Sequence, residues 1–246
     1  MRRVAFAGAT SGMGQALARR LAERSDLICV LGPNIARCEA TRADLAARSP
    51  IGAAFCASLD LLDPTTFAGA LDEAARQMRG LDTVIVSAGL FAPQPALEAS
   101  PDLCERVLRV DFANTVALCE QARVRLLAGG GGTLCVFSSV AGDRARTPVR
   151  IYGAAKAGLS HYLEGLDHAE RRNGLITIDV KPGFVRTPMT DGLPAPPFAG
   201  EPELVAERVM LAIDRGWPVV YVPPVWRYVM AIIRLLPRVV LRRLAF

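Results

Sequence analysis

The chain has 246 residues, enough for one domain with a sizeable hydrophobic core. Its 51% hydrophobic and 22% charged residues are ordinary globular values, and no run of 18 or more uncharged apolar residues predicts a membrane-spanning helix. The six cysteines form no C-x-x-C pair and have no histidine neighbours, so no metal site or disulfide framework is predicted. They are typical of small buried residues in a reducing, cytoplasmic compartment.

The net charge of +5 is concentrated at the carboxyl end of the chain. Six arginines and no acidic residue follow Asp214, so the rest of the chain is close to neutral. A nucleic-acid-binding domain carries a basic patch on its body, so this distribution argues against nucleic acid as a partner.

The first predicted element is a short buried strand, Arg2 to Ala7, which runs directly into a glycine-rich loop. The loop reads G-x-x-x-G-x-G and precedes a helix with Ala16, Leu17 and Leu21 on one face. Glycines allow a tight bend, and a helix N-terminus offers free N–H groups to an anion. The pattern indicates a phosphate-binding turn, although a plain tight turn has the same requirements. The glycines also cut the apolar run too short for a signal peptide.

Strands and helices alternate along the rest of the chain. Further strands are predicted at 27–31, 53–57, 83–87, 133–138, 176–180 and 218–222. Helices are predicted at 35–48, from Asp63-Pro64 onward, at 151–172 and 203–214, and one helix or a helix pair is predicted at 100–127. Loops are predicted at 90–99 and 188–200. This alternation predicts an α/β fold with a doubly wound parallel sheet of about seven strands. One domain would cover 1–224, including a substrate loop at 188–203, and a tail would follow at 225–246.

Three polar side chains stand out in the middle of the chain: Ser139, Tyr152 and Lys156. Tyr152 and Lys156 are four residues apart in a predicted helix and therefore share one face. A cation one turn from a phenol lowers the phenol pKa from about 10, and such a tyrosine can exchange a proton with a carbonyl or an alcohol. A serine hydroxyl can hold the same oxygen. By itself, a Tyr-x-x-x-Lys pair is also typical of a solvated helix surface.

Together these residues resemble the short-chain dehydrogenase/reductase family over about residues 1–224. The specific combination is the N-terminal glycine loop, Ser139 thirteen residues before Tyr152, Lys156 four after it, and Pro182-Gly183-Phe184-Val185-Arg186-Thr187 downstream. The resemblance implies a Rossmann-like NAD(P)-dependent oxidoreductase that interconverts a carbonyl and an alcohol. It implies that Tyr152 is the acid/base, that Lys156 binds the nicotinamide ribose and lowers the Tyr152 pKa, and that Ser139 holds the substrate oxygen.

The resemblance also implies a cofactor site. Thr187 and the Val185 backbone would contact the carboxamide, and Asp60 with Leu61 would contact the adenine, although Asp60 equally suits a plain turn. The implied set is Gly8, Thr10, Ser11, Gly12, Met13, Gly14, Asp60, Leu61, Ala88, Gly89, Tyr152, Lys156, Pro182, Gly183, Val185 and Thr187.

The identity of the cofactor depends on the end of the second strand. Gly32-Pro33-Asn34 includes no acid that would repel a 2′-phosphate, which favours NADP, with Arg37 as the candidate partner of that phosphate. NAD stays open, because no arginine stands at Ser11 or Pro33, where NADP-binding members of the family often have one.

The chain also departs from the family pattern. Asp111 occupies the position of a catalytic asparagine, and Val86-Ser87-Ala88-Gly89 replaces Asn-Asn-Ala-Gly. Asp111 lies in an apolar segment, where a carboxylate needs a polar partner. It could hold the water that an asparagine would hold and stabilise the Lys156 ammonium, so Asp111 is kept as a candidate catalytic residue. The departures leave open an alternative, an NAD(P)-binding regulatory or scaffold protein that has lost turnover.

The tail, residues 225–246, predicts a basic amphipathic helix that Pro237 kinks or divides. Arg227, Arg234, Arg238 and Arg242 fall within roughly 80° of one another at about 100° per residue. Such a helix suits the surface of an anionic membrane and predicts peripheral membrane association. The alternative is that its apolar face packs on a dimer partner or closes the substrate cleft.

Two further expectations concern partners. The apolar tail, together with Leu193 and Phe198 in the preceding loop, predicts an apolar or lipid-like small-molecule substrate. The family resemblance implies a homodimer or homotetramer that pairs the long helices at about 103–127 and 151–172.

Overall fold

The computed structural model describes residues 1–243. Seven strands form one parallel sheet in the order β3-β2-β1-β4-β5-β6-β7. The strands are β1 (Arg3–Ala7), β2 (Leu27–Gly32), β3 (Phe55–Ser58), β4 (Thr83–Val86), β5 (Gly132–Phe137), β6 (Leu175–Pro182) and β7 (Val219–Val222). The strand order reverses between β1 and β4, and ligands of such sheets bind beyond the carboxyl ends of the strands at this switch point. The predicted doubly wound parallel sheet is confirmed.

Helices cover both faces of the sheet. They are α1 (Gly12–Glu23), α2 (Ile35–Arg48), α3 (Thr66–Met78), α4 (Gln94–Ala99), α5 (Pro101–Leu108), α6 (Asn114–Ala128), α7 (Arg150–Glu170), α8 (Pro202–Arg215), α9 (Val225–Leu235) and α10 (Arg238–Arg243). A π-helical segment, Arg109–Ala113, joins α5 to α6.

Two apolar layers hold this arrangement together. One layer packs α3, α6 and α7 on the sheet through residues such as Phe67, Leu118 and Leu159. The other packs α1, α2 and α8 on the opposite face, through residues such as Leu17 and Val209. Strands that are buried on both faces need nearly continuous apolar sequence, which explains the runs that predicted them.

Two local predictions are wrong. The predicted loop at 90–99 contains the helix α4, because Pro95 lies in its first turn, where the missing N–H is not needed. Helix α3 begins at Thr66 and not at Pro64. The Asp63 carboxylate instead accepts hydrogen bonds from the N–H and the hydroxyl of Thr65, at 3.0 and 2.6 Å, and so forms a turn before the helix.

The tail forms two helices, α9 and α10, divided at Pro237 as predicted. The last three residues of the predicted tail helix, 244–246, lie outside the described residues. Within residues 1–243, no helix has both the length and the apolarity needed to cross a membrane.

Candidate active site

The glycine loop joins β1 to α1 at the carboxyl edge of the sheet. Gly8 and Gly12 have φ angles of 99° and 52°, in the left-handed region that favours glycine. A Cβ atom on Gly14 would lie 2.1 Å from the Gly8 carbonyl oxygen, so a side chain there would displace the backbone. The Ser11 side chain does not cap α1 in the part of the chain that the structure describes. The first N–H groups of α1 can therefore bind an anion.

Ser87, at the end of β4, supports this loop. Its hydroxyl donates a hydrogen bond to the Gly8 carbonyl oxygen at 3.2 Å. The backbone N–H of Ala88 donates to the Ala7 carbonyl oxygen at 3.2 Å. Although Ser87 replaces an asparagine of the family pattern, it still ties β4 to the glycine loop. Sequence reasoning treated Ser87 only as a departure, and its place directly before Ala88-Gly89 was the signal available.

A cavity of about 430 Å³ lies along the glycine loop. Eleven of the predicted cofactor residues line it: Gly8, Thr10, Ser11, Gly12, Met13, Gly14, Asp60, Leu61, Ala88, Gly89 and Thr187. The remaining ones, Tyr152, Lys156, Pro182, Gly183 and Val185, line a second cavity of about 530 Å³. The two cavities adjoin, because Met13, Gly89 and Thr187 line both. A glycine cradle that opens into such a long cleft fits an extended dinucleotide.

Asp60 has a structural role at the far end of the first cavity. Its carboxylate accepts a hydrogen bond from the Leu62 N–H at 2.9 Å, as a turn residue does, while Asp60 also lines the cavity. The Asn114 side chain donates to the Leu61 carbonyl oxygen at 2.6 Å and so fixes this turn. Asn114 lies one turn after Asp111 in the chain, and no motif in the sequence marks this role.

Two arginines lie near the same cavity. The Arg37 guanidinium donates to the Thr10 carbonyl oxygen at 3.5 Å, which places it beside the glycine loop. Arg106, on α5, lines the cavity and was not predicted. Its sequence neighbours carry no motif that would have identified it.

The four candidate catalytic residues meet in the second cavity: Ser139, Tyr152, Lys156 and Asp111. Ser139 follows β5, and its oxygen accepts from the Ala141 N–H at 3.1 Å, which orients the side chain. Tyr152 and Lys156 lie on α7, and the Lys156 Nζ is 5.7 Å from the centre of the Tyr152 ring. Nζ also donates to the Phe137 carbonyl oxygen at 3.2 Å. The predicted helical face therefore lines a cavity at the carboxyl ends of β5 and β6, where Lys156 is buried and Tyr152 is half-buried.

Asp111 joins this group from the π-helical segment. Its side chain is fully buried, and one carboxylate oxygen lies 3.6 Å from the Lys156 Nζ. The same oxygen accepts from the Leu90 N–H at 2.9 Å. A Cβ atom on Gly89 would lie 2.8 Å from this oxygen, so the glycine permits the close approach. One oxygen of Asp111 thus has the polar partners that its apolar sequence setting required, whereas the other is buried without a hydrogen-bond partner among the described residues.

Desolvation is the main influence on the ionisation of this group. Desolvation raises the pKa of Tyr152, and the negative charge of Asp111 raises it further. The charge of Lys156 and the hydrogen bond from the Ser139 hydroxyl lower it, but they do not compensate, so the pKa of Tyr152 is raised overall. The pKa of Asp111 is also raised by burial, against the opposing charge of Lys156. For Lys156, burial lowers the pKa, but Asp111 and Tyr152 outweigh it and the pKa is raised overall. The prediction that the pKa of Tyr152 lies below its ordinary value is therefore wrong, because burial and Asp111 outweigh the lysine.

A family model described as short chain dehydrogenase matches residues 2–196. The chain belongs to this family. Membership places it among oxidoreductases of the short-chain dehydrogenase fold that act on small molecules, and the predicted family is confirmed. The matched region ends within the substrate loop, so the tail lies beyond it.

Similar proteins cover nearly the whole chain. An uncharacterized oxidoreductase of Mycobacterium tuberculosis (strain H37Rv) is 32% identical, covering 98% of this chain and 96% of its own. A cis-4-hydroxycyclohexanecarboxylate dehydrogenase of Sinomonas cyclohexanicum is 31% identical, covering 87% and 95%.

Two solved structures show the same fold. A short-chain dehydrogenase from Sphingobium yanoikuyae in complex with NADPH has a TM-score of 0.81 at 23% identity, covering 91% of this chain and 88% of that one. A short-chain dehydrogenase from Mycobacterium paratuberculosis bound to NAD has a TM-score of 0.78 at 22% identity, covering 89% and 94%.

This short-chain dehydrogenase has largely apolar walls around its catalytic candidates. Phe91 packs edge-to-face on Tyr152, with ring centres 5.3 Å apart. Leu193 of the substrate loop lines the cavity as predicted, whereas Phe198 is 48% exposed. Trp226, from the tail helix α9, lines the same cavity. The tail therefore closes part of the second cavity, which agrees with the alternative that its apolar face packs on the protein.

Proposed function

We propose that the protein is an NAD(P)-dependent oxidoreductase that interconverts a carbonyl and an alcohol, with Tyr152 as general acid and base. The observation that supports this most is the meeting of Ser139, Tyr152 and Lys156 in one cavity that adjoins the glycine-loop cavity. A proton donor, an oxygen-binding hydroxyl and a buried ammonium thus lie beside a cleft of dinucleotide shape.

Each of these residues has a defined role in the proposal. A nicotinamide cofactor, when bound, supplies or accepts the hydride at the substrate carbon. Tyr152 donates a proton to the carbonyl oxygen during reduction and removes it from the alcohol during oxidation. The Ser139 hydroxyl donates a hydrogen bond to the same oxygen and stabilises its developing charge. Lys156 stabilises the phenolate, and Asp111, 3.6 Å from Nζ, holds the ammonium in place.

The Tyr152→Phe substitution tests the mechanism. It removes the proton donor and leaves the ring, so we expect turnover to fall by about 10²-fold or more while cofactor binding is kept. Tyr162→Phe is the matched control, because Tyr162 lies on the same helix and bonds Glu120 away from the cavity. Near-native turnover in Tyr152→Phe would contradict the proposal.

We infer that the substrate is apolar, because the cavity wall includes Phe91, Val149, Leu193 and Trp226. The 31% identical relative named cis-4-hydroxycyclohexanecarboxylate dehydrogenase favours ring alcohols and ring ketones as the first compounds to test. A panel of cyclic and long-chain ketones, followed by NAD(P)H absorbance, tests this. Turnover confined to small, strongly polar carbonyls would contradict an apolar substrate.

We infer a preference for NADP(H) over NAD(H). No acid follows β2 at Gly32-Pro33-Asn34, and the Arg37 guanidinium lies beside the glycine loop. Because structures of the same fold carry NADPH in one case and NAD in another, the fold allows either cofactor. Titration of both cofactors decides the preference, and NADH binding about ten-fold more tightly, about 1.4 kcal/mol, would reverse it.

The alternative function is a regulatory or scaffold protein that binds NAD(P) without turnover. The charged Asp111 in place of an asparagine, together with the raised pKa of Tyr152, is the observation that favours it. Such a protein would bind the cofactor but turn over no compound of the panel, and Tyr152→Phe would change nothing.

We also infer a homodimer or homotetramer and a peripheral contact of the tail with membranes. Leu108, Phe112 and Val124 are 38%, 38% and 54% exposed on the segment that runs from α5 to α6, which supports an interface on the long helices. The tail presents both exposed arginines and exposed apolar residues.

A further inference from the structure

Helix α9 has two apolar faces, and the inner face is buried against the rest of the protein. Trp226, Met230 and Ile233 are 9%, 0% and 9% exposed and pack against Val140, the residue after Ser139. The Trp226 ring lies so close to Gly183 that a Cβ atom there would be 2.0 Å from its indole nitrogen. Trp226, at the start of this inner face, therefore forms part of the wall of the substrate cavity, together with Val140.

The outer face of α9 remains exposed although it is apolar. Tyr228, Ile232 and Leu235 are 70%, 65% and 84% exposed. At about 100° per residue these three lie within roughly 60° of one another, and nearly opposite the inner face. Val239, 60% exposed on α10, adds to them. Large apolar side chains that are grouped at such exposures mark an interaction surface.

The charges around this face identify its partner. Arg227 and Arg234 of α9 and Arg238, Arg242 and Arg243 of α10 are exposed on the same two helices, and the chain has no acidic residue after Asp214. A second copy of the chain seated on the same face would bring two sets of arginines together, which costs free energy. Arginines that flank aliphatic and aromatic side chains suit instead the interface of an anionic bilayer, where headgroups meet the charges and acyl chains meet the apolar groups.

The same helix is attached to the rim of the substrate cavity. The Arg144 guanidinium donates to the carbonyl oxygen of Leu236, at the end of α9, at 2.9 Å. The loop that follows Arg144 contributes Pro148 and Val149 to the cavity. A lipid surface that binds the outer face of α9 would therefore lie close to the substrate cavity.

We propose that the outer face of α9 and α10 docks the protein on an anionic lipid bilayer and sets the substrate cavity at the lipid surface, so that the enzyme acts on apolar carbonyls dissolved in the membrane. The docking surface is inferred from the tail residues alone, whereas the delivery of carbonyl substrates depends on the proposed oxidoreductase function. Removal of the tail would also remove the cavity wall, so surface substitutions give the sharper test.

The docking test uses the full chain with Ile232→Glu and Leu235→Glu together. Vesicles of phosphatidylglycerol and phosphatidylcholine in equal parts are compared with phosphatidylcholine alone in a flotation assay. The control carries Ala47→Glu and Ile51→Glu, two exposed positions at the carboxyl end of α2 and just beyond it, on another part of the surface. We expect the unmodified protein and the control to float with the anionic vesicles, and the tail variant to bind them at least about ten-fold more weakly, a difference of about 1.4 kcal/mol.

Equal flotation of the tail variant and the control, or no flotation of the unmodified protein, would overturn the docking surface. An unmodified protein that does not float, but assembles into a larger oligomer than the tail variant, would assign the face to a second copy instead.

The delivery test compares the turnover of a long-chain methyl ketone dissolved in the vesicles with that of a short water-soluble ketone. We expect the ratio of the two rates to fall in the tail variant and not in the control. An unchanged ratio would overturn delivery from the membrane. If no form turns over any ketone, the oxidoreductase proposal and delivery fail, whereas flotation still decides the docking surface.

Discussion

Asp111 adds a negative charge beside Lys156, where the family pattern has an uncharged asparagine. The charge lies 3.6 Å from the ammonium and partly compensates it. Lys156 therefore stabilises a Tyr152 phenolate less than an isolated ammonium would, and the pKa of Tyr152 is raised, first by desolvation and also by Asp111. A phenol that stays protonated at neutral pH is the form that donates a proton, which favours carbonyl reduction.

Asp111→Asn tests this account at the scale of one residue. It removes the charge and keeps an oxygen that can accept from the Leu90 N–H, so the pKa of Tyr152 should fall. Because oxidation needs the deprotonated phenol, the rising limb of the pH profile of kcat/KM for alcohol oxidation should move to lower pH. Reduction needs the protonated phenol, so its loss at high pH should also begin earlier. Asp102→Asn, exposed at the start of α5, is the control, and identical profiles for Asp111→Asn and the unmodified enzyme would contradict the account.

Among the larger elements, the ends of β5, β6 and β7 are joined by a buried ionic cluster around Lys181. Its Nζ lies 2.6 Å from Asp143 and 3.5 Å from Asp179. Tyr221 of β7 donates to Asp143 at 2.9 Å, and the Ser138 hydroxyl donates to Asp179. Asp143 and Ser138 lie on either side of Ser139 in the chain, so the cluster fixes the loop that carries it.

Lys181→Met should therefore destabilise the protein strongly. It leaves two buried carboxylates facing each other without their cation, and loss of one partner of a buried ion pair costs about 3–5 kcal/mol. Arg186→Met is the control, because its ion pair with Glu201 is exposed and should contribute less than about 1 kcal/mol. Denaturant unfolding measures both changes, and a loss for Lys181→Met no larger than for the control would refute a structural role for the cluster.

Helix α9 contributes to the substrate cavity, because its Trp226 side chain lines the cavity wall. Trp226→Ala should lower kcat/KM for an apolar ketone by about ten-fold or more, since lost contact with a large side chain costs well above 1.4 kcal/mol. The dissociation constant of the cofactor should change less than kcat/KM does, because Trp226 lies outside the glycine-loop cavity and touches the predicted cofactor residues at Gly183. Trp217→Ala, half-buried before β7, is the matched control, and equal kinetics of the two variants would argue against the wall.

At the scale of the whole molecule, the exposed residues of α6 support the proposed homo-oligomer. Val124, 54% exposed on a long helix, should lie in the interface if α6 and α7 pair across a two-fold axis. We expect light scattering at micromolar concentration to show a dimer or tetramer, and Val124→Arg to shift it toward monomer. Ile51→Arg, exposed away from these helices, should leave the mass unchanged. A monomeric unmodified protein would contradict the expectation.

The sequence alone determined the fold and most of the residues of the candidate site. Apolar runs of the right lengths predicted seven parallel strands, because a strand that is buried on both faces has to be apolar throughout. Local spacing predicted that Tyr152 and Lys156 share a helix face, and the glycines predicted a tight turn between β1 and α1. Each of these depends on residues that are near neighbours in the chain.

The tertiary structure decided the properties that depend on distant residues. Burial of Tyr152 and the approach of Asp111 reversed the direction of its pKa shift, because desolvation is set by everything packed around a group. Arg106 reaches the glycine-loop cavity from α5, which no local sequence pattern predicted. The ionic cluster around Lys181 likewise combines residues from separate elements. The sequence of the tail predicted an amphipathic helix with one apolar face. In the structure, its apolar residues lie partly against the protein and partly on the surface. The sequence could not predict this division, because the fold determines which side of a helix packs on the protein.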